Sequence, residues 1–197
     1  MLCPNICSAF YCISYMFSQG PKLHPISVII TIVCMFIISA GILEELIYRG
    51  IILGAIDDYF GHKSASDVWK TVVLSGIFFG IFHFGNLRNG VSFLPVLSQA
   101  IDAVGIGIFW GAVYIRSRNI YSIMFLHAAS DILAATWLFI EGNSLWGSLS
   151  SSRIDFISSF IMLIIHILLA IFLLRKKKMK EIINPDSDKL SLKLKNS

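Results

Sequence analysis

Eight ionisable residues sit inside otherwise apolar stretches of the chain: Glu44, Glu45, Arg49, His83, Asp102, His127, Asp131 and His166. An ionisable side chain within a lipid-spanning segment costs about 2.5–3.5 kcal/mol on insertion scales, so each is a functional candidate. Their spacing sorts them. Glu45 and Arg49 are four apart, share one helix face and suit a structural ion pair. Glu44 lies about 100° further round a helix and cannot use Arg49 in the same way. It needs another partner, and a histidine from a neighbouring helix is the obvious one. Phe79 and His83 are also four apart, so ring and imidazole share a face. His127 and Asp131 repeat that interval, which suits a carboxylate orienting an imidazole. A glutamate, a histidine and a His/Asp pair on three segments could together activate a water molecule by general acid–base chemistry. Asp102 reads instead as a helix-packing or cavity residue, and His166 as a packed histidine.

The elements that must hold these residues are membrane helices. About 20 mostly apolar residues cross a bilayer. Residues 26–56 form one long apolar run, broken only by Glu44, Glu45 and Arg49. Further spans are expected over 71–87, 91–115, 120–140 and 156–174, and a short apolar stretch at 5–18 adds a partial sixth. Residues 57–70, 86–90, 116–119 and 141–153 read as polar connections. The expected fold is all-α, a polytopic transmembrane helical bundle of five to six spans, since lipid admits only helices or closed barrels. The runs are continuous, unlike the alternating strands of a barrel.

Composition agrees. Of 197 residues 56% are apolar and 14% charged, and the mean hydropathy is +0.76. Soluble domains carry about 25% charge, so an ordinary soluble enzyme, a disordered chain and a fibre are excluded. Cys3, Cys7, Cys12 and Cys34 form no CxxC and read as small apolar packing residues. The net charge of +4 is uneven: residues 175–197 hold eight of the sixteen Lys and Arg. A basic run after an apolar stretch marks a cytoplasmic end. The loops with Arg116 and Arg118, and with Lys63 and Lys70, then fall on the same side. The opposite loops carry Lys22, Arg88 and Arg153. The partner implied by these basic residues is the membrane and not nucleic acid.

Three motifs now stand in order on successive spans. Glu44-Glu45-Leu46-Ile47-Tyr48-Arg49 fits EExxxR, Phe79-Gly80-Ile81-Phe82-His83 fits FxxxH, and His127-Ala128-Ala129-Ser130-Asp131 fits HxxxN with Asp for Asn. In this the chain resembles the CPBP family, the CAAX proteases and bacteriocin-processing enzymes also called Abi. The resemblance covers about residues 26–140, the motif core of a domain over 1–180, with 181–197 as a polar, disordered tail. It implies an integral, multi-pass membrane endopeptidase whose site opens toward the cytoplasm. By that likeness Glu44 polarises the attacking water with His83 assisting, and His127 and residue 131 stabilise the oxyanion. Glu45, Arg49 and Phe79 support them. Implied substrates are membrane-associated or prenylated CAAX-type proteins or bacteriocin and other peptide precursors, with self-immunity as a related role.

Asp131 departs from the motif. An ionised Asp only accepts hydrogen bonds, and it donates only when protonated. It could instead hold the His127 tautomer or ligate a metal. Glu44, His83, His127 and Asp131 are a credible zinc set by type, but no HExxH is present, and a metal-free reaction is preferred. A rhomboid-like GxSG is absent, since Leu74-Ser75-Gly76 lacks the first Gly. A presenilin-like GxGD is absent too, since Ile108 follows Gly105-Ile106-Gly107. The alternative from another class is a non-catalytic membrane scaffold or immunity protein, or a small proton-coupled transporter using Glu44 and the histidines.

Overall fold

The computed structural model describes residues 23–61, 63–139 and 153–183. The 5–18 stretch with three of the cysteines, the segment 140–152 and the tail from residue 184 lie outside the described residues. Within them the chain is all-α, with no strand. Four helices are long and apolar enough to cross a membrane, and a fifth apolar helix is shorter.

Helix α1 is the 35-residue Ile26–Phe60. Its ends are α-helical, but its middle winds in wider π turns over Ile37–Glu44 and Leu46–Leu53, on either side of Glu45. Such turns are rare and recur at functional sites. Helix α2, Ala65–Phe82, begins where the Ser64 hydroxyl accepts from the Asp67 N–H at 3.2 Å. It tightens into a 3₁₀ turn, His83–Asn89, closed by Gly90 at φ 79°. Helix α3 is Phe93–Ser117 and α4 is Ile120–Ala134, followed by a 3₁₀ turn over Thr136–Phe139. Helix α5 is Arg153–Leu173 and α6 is Lys176–Ile183.

Four of the five expected spans are present with shifted borders, and the fifth, expected over 120–140, is represented by the shorter helix α4. The polar stretch 57–70 is mostly helical, and only residues 61–64 connect α1 to α2. Its charges end helices that reach the polar boundary, where Asp57 meets Arg118 at 3.3 Å and Asp67 meets Lys70 at 3.3 Å. The patch 86–90 belongs to the 3₁₀ turn. The tail is helical as far as Ile183 because Met179, Ile182 and Ile183 pack on the core.

Three apolar layers stack along the bundle. The first, at the α6 end, includes Leu53, Val68, Val72, Ile115, Leu174 and Met179. The middle layer holds Tyr48, Phe79, Ile106, Trp110 and Ile123. The third, at the far end, joins Phe36 and Ala40 of α1 to Ala135 and Leu138. Helices α2 and α3 pack backbone to backbone. A Cβ on Gly76 would lie 2.8 Å from the Ile108 nitrogen, and one on Gly80 would lie 2.8 Å from the Ala100 oxygen. Small residues at such crossings are the usual means of close helix packing in lipid.

Candidate active site

Glu45 is the centre of a buried ionic chain. Its Oε1 accepts from Arg49 Nη1 at 2.9 Å, one turn on in the same helix. The same oxygen accepts from His127 Nδ1 of α4 at 2.5 Å. Glu45 and His127 are 0% exposed and Arg49 is 1%, so no water competes for these charges. Arg49 also reaches the Gly107 carbonyl at 3.5 Å and lies over the Phe79 ring, 4.9 Å from its centroid. Gly41 makes the α1–α4 approach possible: a Cβ there would stand 2.8 Å from the Ala128 Cβ and 3.0 Å from the Met124 oxygen.

This arrangement corrects two expectations. The interhelical histidine partner goes to Glu45 and not to Glu44. And Glu45, not Asp131, orients His127. The physical reason is rotation about α1: the face carrying Glu45 and Arg49 points into the bundle at α4, while Glu44 lies roughly a quarter-turn away and is only partly buried. The expected Glu45–Arg49 pair is present. Because a carboxylate only accepts, the proton on His127 Nδ1 is the one donated. The nitrogen left without a hydrogen bond is Nε2, which faces Asp131 Oδ2 across 3.9 Å.

Phe79 joins this group to His83. Its ring meets Tyr48 edge-on at 4.6 Å, His83 at 5.1 Å and His127 at 6.1 Å between centroids. The two imidazoles thus flank a single aromatic ring. His83 Nδ1 lies 2.9 Å from the Phe79 carbonyl oxygen, which can only accept, so this nitrogen too carries the proton and leaves Nε2 with the lone pair. Glu44 Oε2, His127 Nε2 and Asp131 Oδ2 are all buried without a hydrogen-bond partner. Buried polar atoms are normally satisfied; Glu45 Oε2 and Arg49 Nε are unmet as well, so Glu44, Glu45, Arg49, His127 and Asp131 each carry one such atom.

Asp102 and His166 lie elsewhere, on a seam between α3 and α5. There His166 Nδ1 is 3.8 Å from Asp102 Oδ1, and Ser98 bonds Ser159 at 2.8 Å. Among the described residues no three His, Cys, Asp or Glu are grouped closely enough to hold one metal ion. The residue that sequence reasoning passed over is Tyr48. It stands one turn from Glu44 on the same face, is buried, and packs edge-on against both Phe79 and Phe82. The i,i+4 interval that singled out Arg49 from Glu45 also links Tyr48 to Glu44.

Outside the bilayer, Glu181 of α6 is held below the ordinary carboxylate range by its hydrogen bonds to Lys178, at 2.7 and 3.0 Å.

The apolar helices and the buried ionic chain define a multi-pass helical membrane protein with a polar group in its interior. Residues 25–133 match the family described as type II CAAX prenyl endopeptidase Rce1-like. The match spans more than half of the chain and all three motifs, and the chain belongs to this family of membrane-embedded proteases. No curated protein and no solved structure matches it.

Proposed function

We propose that the chain is an intramembrane endopeptidase that hydrolyses peptide bonds of membrane-associated polypeptides with a water activated by Glu44 and His83. The observation that carries this reading is the group of unmet buried atoms, Glu44 Oε2, His127 Nε2 and Asp131 Oδ2. Two polar atoms 3.9 Å apart can both reach one oxygen placed between them at an ordinary hydrogen-bond length of about 2.8 Å. That position suits a substrate carbonyl oxygen.

The reaction then runs as follows. Glu44 takes a proton from water, with His83 Nε2 holding the water's other hydrogen, and the oxygen adds to the scissile carbonyl carbon. When substrate binds, His127 Nε2 and the Asp131 carboxyl each take up one proton from solvent; the developing oxyanion accepts a hydrogen bond from both, neither proton is transferred, and Glu45 balances the imidazolium charge. Collapse of the tetrahedral intermediate breaks the C–N bond, and the proton held by Glu44 passes to the leaving nitrogen. The products are a carboxylate and an amine. Donors aimed at the oxyanion act strongly in a dry site, and residues of the middle apolar layer keep this one dry. Prenylated CAAX-type segments are the substrates the family's description names, and peptide precursors offer the same backbone chemistry.

The test is cleavage of a quenched, farnesylated CAAX peptide by the purified protein. Glu44→Gln and His83→Ala should each lower the rate by roughly 10²–10⁴ with unchanged helicity and thermal stability. Near wild-type rates in both would overturn the assignment.

A further inference from the structure

The resemblance implies a site open to the cytoplasm, and the basic tail implies a cytoplasmic C-terminus. In this fold the two expectations sit at opposite ends of the bundle. Helix α2 starts beside α6, where Val68 packs in the same layer as Met179. His83 follows its 18 residues, about 27 Å further along the axis. Asp131 lies in the last turn of α4, which starts at the Arg118 end and finishes against the third apolar layer. The walls of the site diverge in the same direction. The second half of α1 packs on α2, whereas its first half, Ile26–Glu44, packs chiefly on α4. Glu44 and Asp131 thus stand on one wall and His83 on the other. Toward α6 the gap is shut by Leu53, Val72 and Ile123, each 0% exposed, and by the Glu45–Arg49 pair.

The charge distribution orients the bundle. Lys63, Lys70, Arg116, Arg118 and the Arg175–Lys180 run all lie at the closed end, while the open end carries Arg88 and the α5 start at Arg153. Lys and Arg in short loops are held on the cytoplasmic side, and each contributes about 1 kcal/mol of attraction to an anionic leaflet. We infer that the site between these diverging walls is reached from the extracytoplasmic side of the membrane, and that its substrates are polypeptide segments presented from the outer leaflet. This rests on the protease reading for what is cut, but not for the side from which the site is reached. The substrate class is accordingly one that has crossed or is inserted in the membrane, such as an exported peptide precursor or the outer-side juxtamembrane segment of a membrane protein.

The experiment uses the full chain with its four cysteines changed to Ser, carrying single replacements Lys63→Cys, Arg88→Cys or His83→Cys. Intact cells and inverted vesicles are treated with a membrane-impermeant thiol reagent. Arg88→Cys and His83→Cys should react in intact cells and be protected in inverted vesicles, with Lys63→Cys showing the opposite pattern. Reaction of His83→Cys from the inverted side, or of Lys63→Cys in intact cells, overturns the inference whether or not the protein is active. In parallel, the cysteine-containing wild type is given a quenched peptide carrying a sulfonated, impermeant dye. Cleavage by intact cells that does not rise when detergent opens them is expected, and cleavage by inverted vesicles alone overturns the proposal. Absence of cleavage in detergent would count against the protease reading, while the labelling would still decide the side of access.

Discussion

Replacing Glu45 by Gln removes one charge from a chain of three buried groups and changes little else in shape. Glu45 Oε1 serves two donors, Arg49 Nη1 and His127 Nδ1, at 2.9 and 2.5 Å. Charge-assisted hydrogen bonds contribute about 1.5–3 kcal/mol each. Removing one partner of a buried ion pair costs about 3–5 kcal/mol, because the other charge stays buried and uncompensated. The two estimates agree, and Glu45→Gln should lose about 3–5 kcal/mol in denaturant unfolding of the purified protein in micelles. The cost comes mainly from the stranded guanidinium, so Glu45→Gln with Arg49→Met should regain part of the loss, with a coupling of about 0.5–3 kcal/mol. A second readout separates orientation from packing. A glutamine amide can donate to His127 Nδ1, which drives the neutral ring to its Nε2–H form. Nitrogen-15 spectra of labelled histidine should therefore show the proton moving from Nδ1 to Nε2. Wild-type stability with an unchanged tautomer would refute the ionic chain. A stable Glu45→Gln protein with no activity would instead assign the water to Glu45 and reverse the roles of the two glutamates.

If residue 131 donates to the oxyanion, Asp131→Asn should keep or raise the cleavage rate, and any gain should shrink at low pH, where the native Asp also carries a proton. A complete loss that tracks added chelator and zinc would replace the metal-free reaction with a zinc site. Gly41→Val should cost about 1–3 kcal/mol by overpacking and lower activity further by pushing α4, and His127 with it, away from Glu45; a fully active and stable variant would contradict the close approach. In α6 the depressed Glu181 carboxyl gives stability present above its unfolded value and lost as pH falls through the folded one. Amide protection in α6 should thus exceed that of Glu181→Gln near neutrality and converge with it in acid.

Much of this site was legible in the sequence because membrane helices make ionisable residues conspicuous. Glu44, Glu45, Arg49, His83, His127 and Asp131 all stand out against apolar neighbours, and the i,i+4 interval alone identified the Glu45–Arg49 pair. Span positions were legible for the same reason, but their ends were not. Polar residues at a helix end can stay helical while reaching water, as Asp57, Asp67 and Lys70 do. What sequence could not supply was rotation. Which glutamate faces His127 depends on how α1 is turned about its axis, and the π turns beside Glu45 and the contact at Gly41 set that turn. The divergence of the two walls was equally hidden, since it follows from which halves of α1 pack on α2 and on α4.

Two adjacent glutamates on one helix can do unlike work because adjacency on a helix means divergence in space. With about 100° between neighbours, only one of the pair can enter the Arg49–His127 chain. That one is fully buried, and its charge is balanced by hydrogen bonds before any substrate arrives. Its neighbour, Glu44, lies outside that chain, and each of the two glutamates keeps a buried Oε2 without a hydrogen-bond partner. A carboxylate already bonded to a guanidinium and an imidazole is a poor acceptor of a further proton, and in the proposed reaction Glu44, outside that chain, takes it. In the proposed reaction the chain separates holding charge in lipid from moving a proton, and the separation depends on Glu45 keeping His127 Nδ1 occupied. Any change that turns α1 by a quarter-turn would exchange the two environments, which is why the close packing at Gly41 bears on chemistry one turn away.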